Sequence, residues 1–381
     1  MIRVLHLIEA LGTGGAERRL INDLRHLDRE EFSNVVCCLS PRVEMWDDSF
    51  TAIPLYLLDA LTLPGIIKNI GAVNKIIRKH NIDIVHTQLF WADLIGRACK
   101  FYSGRFRLIS TIQSTAHDNN DPYLYSYKRK VLDGITGRLF NDGFIAVSAY
   151  VKKVCVDKVK FPSEKICIIP NSVDFSNGNF ISPPSGLRKQ LGLRREQKTL
   201  ITVGRIDPPK GHIYLVRALL QIKKSIPDIK LIVVGDGPGR QALSFECANL
   251  GLGANVLFTG KRNDVKELLS ISDIFIFPTL SEGFSLALLE AMSMRLPCVA
   301  TSIGPNAEVI TDMQNGLLVG VKNPAEIARA VLCLFENPDE MKRIAQEGFL
   351  SVKNKFSAQK CARELGGYYL RIFGSGARQD L

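Results

Sequence analysis

The sequence predicts an α/β protein built from two facing Rossmann-like domains, with the active site in the cleft between them. Three observations carry that expectation. Short apolar runs alternate with amphipathic helical periods, the pattern of parallel strands covered by helices. About ten such runs occur, more than one doubly wound sheet comfortably holds. A stretch without periodicity divides them near the middle of the chain.

In the first half, strands are expected at Arg3–Ile8, Asn34–Leu39, Ile84–His86, Arg107–Ile112 and Phe144–Val147. In the second half they are expected at Thr199–Val203, Lys230–Val234, Val256–Phe258, Ile274–Phe277 and Pro297–Ala300. Helical periods lie between them, among them Gly15–Leu27, Gly71–His80 and Ile213–Ser225. The divider, NSVDFSNGNFISPPSG at Asn171–Gly186, is rich in Asn, Ser, Gly and Pro and reads as a linker. The domains are therefore expected at 1–175 and 187–356. Ligands of open parallel sheets bind beyond the carboxyl ends of the strands, so the strand-to-helix turns are where motifs matter.

Composition narrows the function. The 381 residues include 49 Lys and Arg against 38 Asp and Glu, a net charge of +11. Residues 97–165 hold 13 Lys and Arg against 6 Asp and Glu, which concentrates a surplus of seven there. Such a surplus suits nucleic acid, an anionic membrane or an anionic small substrate. Nucleic acid loses its case because no zinc finger, RNA-binding aromatic pair or helix-turn-helix signature accompanies the charge. The longest apolar stretch, Leu55 to Ile67, is broken by Asp59 and Pro64 and is too short to span a bilayer. The start, with His6 and Glu9 in its apolar run, reads as a buried strand rather than a signal peptide. Nine scattered Cys without C-x-x-C fit reduced core thiols, and neither H-E-x-x-H nor D-x-D is present to hold a metal. A cytoplasmic chain without a catalytic metal is expected.

Three segments carry chemistry. Gly12-Thr13-Gly14-Gly15-Ala16-Glu17 follows the first strand and opens a helix, where glycines let amides approach a phosphate or a carbohydrate, or simply form a tight turn. Glu17 stands where a dinucleotide fingerprint needs its third glycine, which excludes a nicotinamide dehydrogenase of that type. Gly204-Arg205-Ile206-Asp207-Pro208-Pro209-Lys210-Gly211 follows the first strand of the second half, and its two cations can grip one diphosphate. Glu282-Gly283-Phe284-Ser285-Leu286 leads into a helix that looks largely buried and contains Glu290. A buried carboxylate there needs hydrogen bonds, which ribose hydroxyls can supply; the alternative makes Glu282 an N-terminal capping acid and Glu290 a buried salt-bridge partner. Eight residues of helical rise place Glu282 and Glu290 about 12 Å apart. That is about the span from the ribose to the sugar ring of a nucleotide sugar, with a helix N-terminus facing the diphosphate. Weaker turn signals are Gly235–Gly239, Lys261-Arg262 and Gly304–Glu308.

On these segments the chain resembles glycosyltransferase family 4, retaining enzymes of the GT-B fold, from GGAE through VGRIDPPKG, GDGPGR and the E-x7-E segment to QNGLLV at 314–319. The resemblance implies a first domain that holds the acceptor, a second that holds the nucleotide sugar, and a final helix at 357–373 crossing back to the first. It implies that Arg205 and Lys210 neutralise the departing diphosphate, that Glu290 takes the ribose hydroxyls, and that Glu282 holds the donor sugar with the amides of Gly283 to Ser285. Phe284 and Leu286 complete that donor-binding segment, Gly204 shapes the diphosphate loop, Lys261 and Arg262 lie near the base, and Gly14 and Gly15 form the first-domain loop. UDP is the base most frequent in the family, and a hexosyl or N-acetylhexosaminyl group is implied. The implied acceptor is a lipid-linked or cell-surface glycan precursor. An epimerase or hydrolase of the same fold is the alternative.

The chain departs from the family in the first domain, where Gln113 directly follows the fourth strand at the usual position of a histidine. His117, four residues on, is the other candidate for that role. Gln88 stands where a second histidine is often found, and Pro305 replaces a glycine. As a helix, residues 123–140 carry Leu124, Val131, Leu132, Ile135 and Leu139 on an apolar side and Lys128, Arg129, Lys130 and Arg138 on a cationic one. Such a helix lies on anionic headgroups at the inner face of the cell membrane, or packs on the core with a basic exposed face.

Overall fold

The computed structural model describes residues 1–59, 63–114, 127–176 and 186–374, with 63–67 described by backbone alone. They fall into two compact units, Met1–Asp174 with Ala358–Leu381, and Phe175–Ser357. His117 and the start of the 123–140 segment lie outside the described residues.

In the first unit, β1 (Ile2–Ile8), β2 (Phe32–Cys38), β3 (Leu55–Leu57), β4 (Ile84–Gln88), β5 (Arg107–Ile112), β6 (Gly143–Ala146) and β7 (Ile166–Ile168) form one sheet ordered β3-β2-β1-β4-β5-β6-β7. The second unit orders β8 (Thr199–Val203), β9 (Lys230–Val234), β10 (Val256–Gly260), β11 (Ile274–Phe277), β12 (Cys298–Thr301) and β13 (Leu317–Val319) as β10-β9-β8-β11-β12-β13. All neighbours are parallel. The expected α/β class therefore holds. The chain reverses its winding between β1 and β4 and again between β8 and β11, and a crevice opens at such a switch point.

Strands β3, β7 and β13 add to the ten expected. Each has three residues and lies at a sheet edge, too short for alternation to register. The helix expected from Gly71 begins at Leu63. Pro64 sits in its first turn, where the missing N–H costs nothing. The supposed linker begins inside the first unit. Ser172 O accepts from Asn22 Nδ2 at 2.9 Å, Val173 is buried, and Asp174 pairs with His26 at 3.1 Å. Lack of periodicity there reflects polar anchoring to the helix Gly15–His26 rather than freedom.

After the second unit, the backbone N–H of Ala358 donates to Val173 O at 2.9 Å and opens the helix Ala358–Gly374. Cys361, Leu365, Tyr368 and Tyr369 of this helix pack on Ile2, Val4, Phe32, Ile84 and Ile145. Gly143 makes the approach possible, since a Cβ there would lie 2.1 Å from the Tyr368 hydroxyl. The fully buried Tyr369 hydroxyl lies 2.6 Å from His86 Nδ1, while His86 Nε2 lies 2.6 Å from Thr111 Oγ1. Burial holds His86 neutral, far below its usual range, so both ring nitrogens need these partners. Tyr369→Phe should cost about 1–3 kcal/mol by stranding a buried nitrogen. A lower urea midpoint checks this, and an unchanged midpoint would show the bond is dispensable.

Candidate functional site

In the second unit the switch point brings two distant loops together. Neighbouring β8 and β11 send out residues 204–211 and 278–285 side by side. Leu280 N donates to Pro209 O at 2.7 Å, and Thr279 Oγ1 donates to the same carbonyl at 3.1 Å. Lys210, ending the 3₁₀ turn Pro208–Lys210, donates its ammonium to Glu282 Oε1. Both side chains are mostly buried, at 24% and 16% exposure, which strengthens the pair relative to a surface one. Arg205 is largely exposed, with Nε 3.4 Å from Asp207 Oδ2.

Close backbone approach explains the glycines. Gly204 N donates to Val234 O at 3.0 Å, and a Cβ on Gly235, whose φ is +130°, would lie 2.0 Å from Gly204 O. The turn at 235–239 thus buttresses the Arg205 loop: Ile206 N donates to Asp236 O at 3.0 Å, and Gly239 N to Ile206 O at 2.9 Å. Gly211 has a φ of +66°, and a Cβ on it would lie 2.1 Å from Pro278 O.

Gly283, Phe284 and Ser285 are buried, and Leu286 starts the helix Leu286–Ser293. The Ser285 hydroxyl does not cap that helix but donates to Asn306 Oδ1 at 3.1 Å, leaving first-turn amides open to an anion. Asn306 Nδ2 donates to Thr301 O at 2.9 Å, and Thr301 Oγ1 donates to Thr279 O. This buried network fixes the loop from beneath. The sequence reading missed Asn306, Thr301 and Thr279 in this role; the available signal was small polar residues at, or within five residues of, the ends of two fully buried strands.

Glu290 is half-buried rather than largely buried. Helical rise applies only from Leu286 onward, because Glu282–Ser285 is loop, so the 12 Å separation loses its basis. Lys261 is exposed beyond β10, an edge strand two places from β8, and Arg262 Nε donates to Asp264 Oδ1 at 2.7 Å. These two cations share the carboxyl end of the sheet with Lys210 but flank it. His212, also unforeseen, opens the helix His212–Ser225. Burial, then the Lys210 charge, lowers its pKa to about 4, so it is neutral at pH 7.

In the first unit, Gly14 precedes the helix and Gly15 opens it. The Glu17 carboxylate folds back over this turn, 2.4 Å from where a Gly14 Cβ would stand, and burial raises its pKa. The helix end thus carries the chain's own acid, a group that can accept from hydroxyls and that disfavours a second anion there. Gln113 Nε2 donates to Gln88 Oε1 at 3.3 Å, joining the two departures from the family pattern. A cavity of about 30 Å³ beside them is lined by Asp93, Arg97, Thr111, Gln113, Arg129 and Asp133. Arg97 Nη1 donates to Asp133 Oδ1 at 2.7 Å, and burial, partly offset by Arg97, pushes Asp93 up to about 6.

Gly192 shares a positive φ of +68° but faces open space. Gly192→Ala therefore isolates the backbone cost of about 1 kcal/mol, and Gly211→Ala should cost clearly more in chemical unfolding. Equal losses would mean that the 204–211 and 278–285 loops are not held tightly together.

Two family models match the chain. "Glycosyltransferase Family 4" matches residues 13–177, and "Glycosyl transferases group 1" matches 186–350. The chain is 28% identical over 326 residues to UDP-Gal:alpha-D-GlcNAc-diphosphoundecaprenol alpha-1,3-galactosyltransferase of Escherichia coli, covering 84% of each. It is 27% identical over 302 residues to N-acetyl-alpha-D-glucosaminyl L-malate synthase of Bacillus anthracis, covering 78% of this chain and 77% of that one. In fold it is similar to the crystal structure of Anabaena Alr3699/HepE in complex with UDP and glucose. The TM-score is 0.84 at 22% identity, covering 97% of this chain and 99% of that one.

Proposed function

Because the chain belongs to glycosyltransferase family 4, with the GT-B fold, and so transfers a sugar from a nucleotide sugar, we propose the following reading of its reaction. The donor is a UDP-hexose or UDP-N-acetylhexosamine, the acceptor a hydroxyl of a lipid-linked glycan precursor, and the anomeric configuration is retained. The relatives' names support the donor and the acceptor class. The observation that carries the reading is the Lys210–Glu282 pair at the β8–β11 switch point, beside an uncapped helix N-terminus.

The two charges divide the donor between them. Lys210 and Arg205 face the diphosphate, whose negative charge grows as the bond from the anomeric carbon to the phosphate oxygen breaks, and first-turn amides add to that stabilisation. Glu282, oriented by Lys210, accepts from the donor sugar's hydroxyls, and Glu290 accepts from the ribose. The acceptor oxygen bonds to the anomeric carbon on the face the diphosphate leaves. Its proton passes to the departing phosphate oxygen, and the nucleoside diphosphate carries away the electron pair. The positive charge is supplied by the chain's own cations, so transfer in excess chelator should match that without it. The diphosphoundecaprenol acceptor in the Escherichia coli relative's name supports a peripheral encounter with a lipid-linked acceptor at the inner face of the membrane.

Lys210→Ala, Arg205→Ala and Glu290→Ala should each lower kcat/KM by about 10²–10³-fold if they act on the donor. The Arg205→Ala, Lys210→Ala double variant should also lose thermal stabilisation by UDP, which in the native chain reaches about 2.7 kcal/mol at a hundredfold excess over Kd. Turnover at the native rate would overturn the assignment. A panel of nucleotide sugars read by thermal unfolding identifies base and sugar. An epimerised donor, or free sugar formed with acceptor present, would replace the transferase reading.

A further inference from the structure

The helix Tyr127–Phe140 is inverted relative to an ordinary surface helix. Its buried residues are Asp133, Gly134 and Gly137. A Cβ on Gly137 would stand 2.7 Å from the Phe161 ring, and one on Gly134 would stand 3.3 Å from Val159 O. Two glycines therefore seat the helix tightly on the first unit while its large apolar side chains point away. Leu139 is 70% exposed, Tyr127 67% and Ile135 50%, with Val131 and Leu132 also exposed. The core-packing reading of this helix thus fails for its apolar side.

The end of the helix Phe90–Ser103 extends the same surface. Phe101 and Tyr102 are 68% and 72% exposed, and the Phe101 ring meets Phe140 edge-on at 5.9 Å. Exposed cations border these side chains: Lys128 and Arg138 on the first helix, and Arg105 in the turn after Tyr102. Aromatic and aliphatic groups flanked by Lys and Arg match an interfacial surface, with apolar groups at acyl depth and cations at headgroup level. The charge selects the occupant. A second copy would bring like charges together, whereas anionic lipid neutralises them.

We propose that this two-helix face docks the protein on an anionic phospholipid bilayer. The inference deepens the lipid-linked acceptor reading and rests on it only for its purpose. Arg129 and Asp133 of the docking helix also line the small cavity beside Gln113, so docking carries that cavity to the lipid–water boundary.

Co-sedimentation of the full chain with vesicles tests this. Binding is expected to phosphatidylcholine mixed with phosphatidylglycerol, with at least tenfold less to phosphatidylcholine alone, and to weaken in high salt. Lys128→Glu with Arg138→Glu should weaken anionic binding by at least about twentyfold, at roughly fivefold per cation removed. Leu132→Ser with Leu139→Ser should weaken binding to a similar degree. Their exposure should leave thermal unfolding and its response to UDP unchanged. Equal binding to both vesicle types would overturn the proposal, as would native binding by either pair of variants. So would a dimer in sedimentation velocity that the leucine substitutions dissolve. UDP response separates the two readings: vesicle binding without it sinks the donor reading alone, while UDP response without vesicle binding sinks docking alone.

Discussion

Lys210 and Glu282 are 72 residues apart in the chain and share one ion pair because β8 and β11 are neighbours in a parallel sheet. That adjacency is the constraint on which the candidate site depends. Parallel strands require long crossovers, so the strands that meet at the centre of the sheet are distant in sequence. Their carboxyl ends release two loops at one edge. Neither loop alone places a cation beside a carboxylate and a helix N-terminus; the reversal of winding does.

Packing beneath the loops gives the pair its geometry. Gly211 lets the first loop touch the carbonyl of Pro278, and Gly235 and Gly237 let a third turn press on Gly204 and Ile206. Asn306, Thr301 and Thr279 satisfy one another and the second loop in a buried network that no apolar set could replace without stranding a carbonyl. A site held by backbone contacts on both sides keeps its charges aimed before the ligand arrives, which is what electrostatic catalysis needs. In the first unit the same logic appears with the opposite sign. Glu17 covers its own helix end, so that loop presents an acceptor of hydrogen bonds where the second unit presents cations.

Much of this was legible from residue order. Buried parallel strands are near-continuous Val, Ile, Leu and Phe runs, so Thr199–Val203 and Ile274–Phe277 match their expected limits. The placement of Arg205, Lys210 and Glu282 just past the ends of β8 and β11 was legible too, because such loops follow directly on the apolar runs. What escaped is what depends on the third dimension. The three-residue edge strands lack a period, and Asn306 acts through partners 5 and 21 residues away. The helix Tyr127–Phe140 shows its apolar and cationic residues in the sequence, but only contact with Phe161 and Val159 reveals that the glycine side is the one turned inward. Glu290 looked buried because its neighbours Leu288, Leu289, Ala291 and Met292 are.

In the proposed reaction, Lys210 and Glu282 act as one unit on a bound nucleotide sugar. The direct test is a double-mutant cycle on UDP-sugar affinity with Lys210→Ala, Glu282→Ala and both together. Residues that depend on each other for orientation couple by about 0.5–3 kcal/mol. Each single variant should weaken binding, and the double variant should lose clearly less than the sum. Native affinity in all three, or strict additivity, would contradict that joint action.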